Sequence, residues 1–256
     1  MPHQDGAGTI DEVGEGVDAG RVGQRVWVWL AAYRRLTGTA QELALVPAEL
    51  AEPLPDDVSF KVGADLGVPF LTAHRALTVV EGGPTRLVPG VLAGRSVLVA
   101  GGAGAVGNAA IQLARWAGAQ VITTVSGAEK GELARAGGAH HVVDYRRQDV
   151  ATEVRRIVPE GVSTVVEVSP TQNAAIDAPV LAPHATVAIY ANNGGDEASL
   201  PIRPLMTVNA RIQYVLLYTM PEVANRCRCR CERRTACRCH PRRRGRRPAA
   251  APLPAG

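Results

Sequence analysis

The sequence predicts an α/β fold in which an open, doubly wound parallel sheet follows a smaller β-rich unit. From about Arg95 onward, short segments rich in Val and Ile alternate with helical segments, which is typical of a parallel sheet buried on both faces. A glycine cluster joins the first of these strands to the helix that follows it. Before Arg95, the alternation of apolar and polar residues indicates half-buried strands instead.

Residues 1 to about 85 are expected to be irregular and rich in strands. The segment RVGQRVWVWL predicts a strand because its valines alternate with polar residues, and AQELALVP predicts a second strand that ends at Pro47. The apolar spacing in VSFKVGADLGVPFLTAHRALTVV predicts helix. Pro69 is expected to interrupt that helix, because proline lacks the backbone N–H.

The second half of the chain alternates regularly between the two kinds of element. The predicted strands are Ser96–Ala100, Gln120–Val125, His140–Val143, Thr164–Val168 and Thr186–Tyr190. The predicted helices begin near Ala105, Ala128, Gln148 and Asn173. This order favours a doubly wound sheet with helices on both faces.

Charge and cysteine are distributed unevenly along the chain. Residues 226–247 hold eleven arginines and all five cysteines, whereas residues 1–225 carry 17 basic and 23 acidic side chains. The net charge of +4 therefore describes the tail and does not indicate nucleic-acid binding by the rest of the chain. Since residues 1–225 contain no cysteine, they offer neither a thiol nucleophile nor a cysteine ligand for zinc.

Residues 226–256 show no hydrophobic periodicity and are predicted to be a disordered Arg/Cys/Pro tail. Their composition favours translation of a GC-rich coding segment in a shifted frame. Two alternatives stay open: a basic tail that binds phosphate backbones, and a metal site built from its C-x-C pairs. Nucleic-acid binding is disfavoured because the tail has no aromatic residue to stack on bases.

The glycine cluster GGAGAVG has the pattern of a dinucleotide-binding loop. Glycines permit a sharp turn and close approach of a pyrophosphate, and the following helix presents free N–H groups to the phosphates. The position between a predicted strand and a predicted helix supports this interpretation. The candidate pyrophosphate-binding residues are Gly101, Gly104, Ala105, Val106 and Gly107.

The end of the next strand favours NADPH over NADH. Proteins that bind NAD usually place Asp or Glu there, to bind the ribose 2′-hydroxyl. This chain has Ser126 and, four residues later, Lys130, both of which suit a 2′-phosphate. Tyr145, after the third strand, is expected to lie at the adenosine end of the cofactor.

Four segments together resemble a known family: PHQDGAGTIDEVGEGV, LGVPFLTAHRAL, VLVAGGAGAVGNAAIQLARWAGAQVITTVS and EKGELARAGGAHHVVDYR. They are similar to the zinc-independent, zeta-crystallin-like quinone oxidoreductases of the medium-chain dehydrogenase/reductase superfamily. The resemblance covers residues 2–224. It implies a partial GroES-like substrate domain at 1–88 and a Rossmann NADP-binding domain at 89–225, followed by the tail at 226–256.

The resemblance also implies a reaction and residue roles. The reaction is hydride transfer from NADPH to a quinone or other α,β-unsaturated carbonyl, without zinc. The glycine loop, Ser126, Lys130 and Tyr145 keep the roles given above. Thr72, Asn192 and Asn193 match positions that face the nicotinamide. No catalytic residue and no metal ligand is assigned.

His3 and Asp5 stand where zinc-dependent relatives have ligands. Two candidate ligands are too few for a zinc site, which needs three or four. We expect a structural turn here instead.

Two departures from the family pattern leave the function open. The family's residues before PHQDGAG, which form part of the substrate pocket, and its last strands are expected to be missing. The alternatives to a quinone or enone reductase are a catalytically impaired NADP-binding fragment and a nucleic-acid-associated protein that acts through the tail. A cytoplasmic location, no membrane contact and a homodimer through the edge strand ARIQYVLLY are expected. The physiological acceptor is not identified.

Overall fold

The computed structural model describes residues 3–220, which form two β-sheets and the helices between their strands. The smaller sheet has three antiparallel strands and the larger has six parallel strands. The predictions for the tail at 226–256 lie outside the described residues. Within 3–220, every helix is too short or too polar to cross a lipid bilayer.

The smaller sheet is built from three short strands in sequence order. These are β1 (Gly6–Thr9), β2 (Arg25–Val28) and β3 (Ala51–Pro53). The strand predicted in RVGQRVWVWL is confirmed as β2, whose Trp27 is 2% exposed. The strand predicted in AQELALVP is wrong: Leu43 and Leu45 are 73% and 90% exposed, and the third strand begins after Pro47. A strand-like sequence pattern alone does not produce a strand in AQELALVP, because no strand of the described chain pairs with this segment.

Two helices follow, α1 (Phe60–Asp65) and α2 (Val68–Leu77). The predicted helical segment is thus confirmed, but its break falls at Leu66 and Gly67 rather than at Pro69. Pro69 lies in the first turn of α2, where a missing N–H costs no intrahelical bond. The proline therefore starts the second helix and does not interrupt the first.

The larger sheet confirms the predicted alternation of strands and helices. Its strands are β4 (Ser96–Val99), β5 (Gln120–Val125), β6 (His141–Asp144), β7 (Val162–Glu167), β8 (Leu181–Ile189) and β9 (Arg211–Tyr214). Its helices are α3 (Ala105–Trp116), α4 (Ala128–Ala136), α5 (Val150–Ile157), α6 (Pro170–Asp177) and α7 (Ile202–Thr207). The strand order is β6-β5-β4-β7-β8-β9, and all neighbours are parallel.

Helices cover both faces of this sheet, which confirms the doubly wound fold class. Val97 and Val99 belong to a core with α2 and α3 on one face, whereas Leu98 faces the core formed with α5 to α7 on the other. Successive side chains of a strand point to opposite faces, so a strand covered on both sides must be apolar throughout. The order also makes β4 and β7 neighbours at the switch point, which opens a crevice at the carboxyl ends of the strands.

A tight turn between α5 and β7 should make the fold sensitive to one methyl group at Gly161. Its φ is +93°, and an added Cβ would lie 2.7 Å from Ala182 N. Gly94 also has a positive φ, +76°, but open space around it. We expect Gly94→Ala to cost about 1 kcal/mol of unfolding free energy from backbone strain. Gly161→Ala should cost about 1–3 kcal/mol more, from steric overlap. Equal losses of both variants in urea unfolding would contradict this account.

Candidate cofactor site

The carboxyl ends of neighbouring strands gather most of the predicted site residues at one edge of the parallel sheet. Because all strands of the sheet run the same way, the segments that follow them share this edge. The residues found there are Gly101, Gly104, Ala105, Val106 and Gly107 after β4, Ser126 and Lys130 after β5, Tyr145 after β6, and Asn192 and Asn193 after β8. Thr72 comes from α2.

The glycine loop after β4 lies directly on β5. Gly101 has φ +68°, and the N–H of Gly102 donates to the Thr124 carbonyl at 3.1 Å. An added Cβ on Gly102 would lie 2.1 Å from Thr123 Oγ1, and one on Gly107 would lie 2.5 Å from the Gly101 carbonyl oxygen. The loop can hold this position only because these positions carry no side chain.

The loop directs the N-terminus of α3 toward solvent. Gly104 caps the helix without a side-chain acceptor, and both Gly104 and Ala105 are exposed. The N–H groups of Ala105, Val106 and Gly107 therefore keep their donors free of intrahelical partners. Free donors at the positive end of a helix dipole can hold a phosphate.

A cation and a hydroxyl are paired at the end of β5. Lys130 Nζ donates to Ser126 Oγ at 3.0 Å, and Lys130 is exposed in the first turn of α4. Because a cation in the first turn of a helix opposes the helix dipole, this position attracts an anion more strongly. Tyr145 follows the adjacent strand β6 and is 50% exposed.

The segments after β7 and β8 are tied together on the other side of the crevice. The N–H of Asn193 donates to the Val168 carbonyl at 3.1 Å, and Ser169 Oγ donates to the Asn193 carbonyl at 2.5 Å. Asn192 donates from its side chain to Asp196. Thr72 is 5% exposed on α2, which packs against α3, β7 and β8.

The structure also shows a buried carboxyl pair that the sequence analysis did not identify. Glu167 ends β7 with 0% exposure, and Asp177 ends α6 with 5% exposure. Burial raises the pKa of Glu167. Burial, together with the neighbouring Glu167 charge, raises the pKa of Asp177 well above its usual range. The sequence signal was an acidic residue directly after the two valines at the end of β7.

Asp5 caps the start of α2. Its Oδ1 accepts a hydrogen bond from Val68 N at 2.8 Å, at the start of α2, whereas His3 is exposed. Burial raises the pKa of Asp5 to about 6, and the Val68 N–H partly opposes this rise. Within residues 3–220, His, Cys, Asp and Glu side chains do not gather in groups of three or more that could hold a metal ion.

Known proteins that are similar to this chain include dehydrogenases and quinone oxidoreductases. The family described as zinc-binding dehydrogenase matches residues 105–228. Mouse quinone oxidoreductase is 33% identical over 196 residues, which is 75% of this chain and 56% of that protein. A solved mycobacterial quinone oxidoreductase is 30% identical, with a TM-score of 0.76, over 91% of this chain and 70% of that one.

A second mycobacterial structure was solved in complex with NADPH. It is 30% identical, with a TM-score of 0.72, over 87% of this chain and 66% of that one. The chain belongs to the quinone oxidoreductase family of the medium-chain dehydrogenase/reductase superfamily. It spans 56% of the length of the mouse relative.

The raised pKa of Asp5 predicts a specific dependence of stability on pH. An acid whose pKa rises from 3.8 to about 6 on folding favours the folded state at low pH, and this stabilisation is lost as pH rises through 6. Asp5→Asn cannot ionise. Between pH 3.5 and pH 7, wild type should therefore lose about 3 kcal/mol of unfolding free energy relative to the variant. Urea unfolding at both pH values measures the difference, and a constant difference would contradict burial as the dominant cause.

Proposed function

We propose that this chain binds NADPH and takes part in hydride transfer to a quinone or another α,β-unsaturated carbonyl, without zinc. The observation that carries the proposal is the glycine loop beside the Ser126–Lys130 pair, at the crevice of the parallel sheet. The similarity to mouse quinone oxidoreductase and to a mycobacterial protein complexed with NADPH supports it.

Residues on both sides of the crevice would bind the cofactor. The N–H groups of Ala105, Val106 and Gly107 would bind the pyrophosphate. Ser126 and Lys130 would bind the 2′-phosphate, and Tyr145 would lie against the adenosine. When bound, the nicotinamide supplies the hydride.

On the opposite side, the loop after β8 carries Asn192 and Asn193 and would orient the nicotinamide ring, with Thr72 approaching from α2. No acid or base of the chain is assigned to the chemical step. The protein's contribution would be the orientation of the ring and the exclusion of water from it.

The preference for NADPH follows from charge at the end of β5. A carboxylate there would bind a ribose 2′-hydroxyl and repel a 2′-phosphate. This chain instead presents a hydroxyl bonded to an ammonium group. An ammonium gains more from a phosphate than from a hydroxyl, because hydrogen bonds between charged groups are the stronger ones.

Zinc does not fit the side chains near this site. Residues 1–225 contain no cysteine, and the carboxylate of Asp5 is committed to the start of α2. No step of the proposed reaction therefore uses a metal ion.

A second candidate function is an NADP-binding unit with impaired catalysis. It is favoured by the exposed leucines next to the small sheet, where Leu36, Leu43 and Leu45 are 97%, 73% and 90% exposed. Oxidation of NADPH in the presence of a panel of quinones and enones separates the two functions. Binding without turnover would support the second. The homodimer through β9 and the cytoplasmic location also remain predictions.

Lys130 should discriminate between the two nicotinamide cofactors. Removing the ammonium in Lys130→Ala should weaken NADPH binding about tenfold, because a charge-assisted hydrogen bond to a phosphate contributes about 1.5–3 kcal/mol. NADH lacks the 2′-phosphate, so its binding should not change. Titration calorimetry with both cofactors measures the difference.

Lys61→Ala is the matched control for this test, since Lys61 is the other lysine of the chain and is exposed on α1. It should bind both cofactors as wild type does. Equal weakening of NADPH and NADH by Lys130→Ala would contradict the assigned role, and absence of NADPH binding by wild type would overturn the proposed function.

A further inference from the structure

Two carboxyl groups are buried side by side below the loop that follows β8. Glu167 and Asp177, the last residues of β7 and α6, are 0% and 5% exposed, and each carboxyl group affects the pKa of the other. Two ionised carboxylates offer only acceptors and repel each other. A hydrogen bond between them therefore requires one shared proton.

The surrounding donors place this proton on Asp177. Glu167 Oε1 accepts hydrogen bonds from the N–H of Ser169 and from Asn173 Nδ2, the latter at 2.9 Å. Such donors stabilise the ionised form of Glu167. Its second oxygen, Oε2, is buried and meets no neutral N–H or O–H donor among residues 3–220. A protonated Asp177 would fill that gap by donating to Glu167.

The pair is linked by hydrogen bonds to the loop that carries Asn192 and Asn193. Ser169, whose N–H is bound by Glu167, donates from Oγ to the Asn193 carbonyl at 2.5 Å. The N–H of Asn193 in turn donates to the Val168 carbonyl at 3.1 Å. A continuous path thus runs from a fully buried charge to the exposed loop.

We propose that Glu167 and Asp177 are positioning residues for the nicotinamide half of the cofactor. With one proton between them, they hold Ser169, and through Ser169 the 192–195 loop, where the nicotinamide ring would bind. Neither residue touches the cofactor. This inference rests on the proposed function, and it separates the two halves of the site, because the adenosine half depends on the ends of β5 and β6.

Two ligands distinguish positioning from general stabilisation. NADPH occupies both halves of the site, whereas 2′,5′-ADP carries the 2′-phosphate and the adenosine but no nicotinamide. Asp177→Ala removes the donor to Glu167 and should weaken NADPH binding about tenfold, the effect of losing about 1.4 kcal/mol. Binding of 2′,5′-ADP should stay unchanged. Calorimetric titrations of the full chain, at a temperature where thermal melts show it folded, measure both affinities.

Asp177→Asn is the conservative variant. Its amide N–H can donate to Glu167 without a titrating proton, so NADPH binding should return to within about threefold of wild type, less than the loss of one hydrogen bond. If Asp177→Ala does not fold, Ser169→Ala removes the link to Asn193 and leaves the carboxyl pair intact. It should show the same selective loss of NADPH affinity.

Three outcomes would overturn the inference. Equal weakening of both ligands by the folded variant would show that the pair only stabilises the fold. Unchanged NADPH binding would show that the loop does not depend on the pair. If wild type bound neither NADPH nor 2′,5′-ADP, the proposed function would fall and the inference with it, whereas the first two outcomes leave the proposed function standing.

Discussion

The contact between the glycine loop and β5 determines the geometry of the sheet edge where the candidate cofactor site lies. A single carbon added at Gly102 would collide with Thr123 Oγ1, and β5 supplies the partners that fix the loop. Thr124 Oγ1 accepts from the N–H of Gly101 at 3.2 Å, while Thr123 Oγ1 donates to the Val99 carbonyl at 2.7 Å. Two threonines of β5 thus hold the turn that directs α3 toward the crevice. Close packing and phosphate access therefore arise from the same absence of side chains.

The local sequence pattern was sufficient to predict strands that are buried on both faces. Strands covered on both faces are mostly apolar, so β4 and β5 could be predicted to within one residue. Sequence pattern failed where pairing between distant segments determines the secondary structure. Residues 41–47 alternate like a strand but have no partner strand among the described residues. β8 begins five residues before its predicted start, where Leu181 pairs with Val162 of β7.

The same distinction applies to the site. The glycine loop, Ser126 and Lys130 lie within a short stretch whose spacing follows from one strand–helix–strand unit, so the sequence could place them together. Glu167 and Asp177 are separated by a helix, and their contact exists only because α6 folds back against β7. Buried polar pairs of this kind leave no periodic signal. They become visible only when burial and hydrogen-bond partners are known.

In the proposed binding mode, the cationic side of the crevice would hold the phosphates of the nicotinamide dinucleotide. The cation Lys130 and the N-terminus of α3 lie where the phosphates would bind, and both attract negative charge. The buried Glu167 ends β7, on the opposite side of the crevice, where the nicotinamide ring would bind. Burying a carboxylate costs folding free energy unless donors compensate it. Ser169 and Asn173 donate hydrogen bonds to Glu167, and Asp177 would add a third donor in its protonated form. A polar group retained at this cost, and joined by hydrogen bonds to the exposed loop, is better explained by the site than by the stability of the sheet.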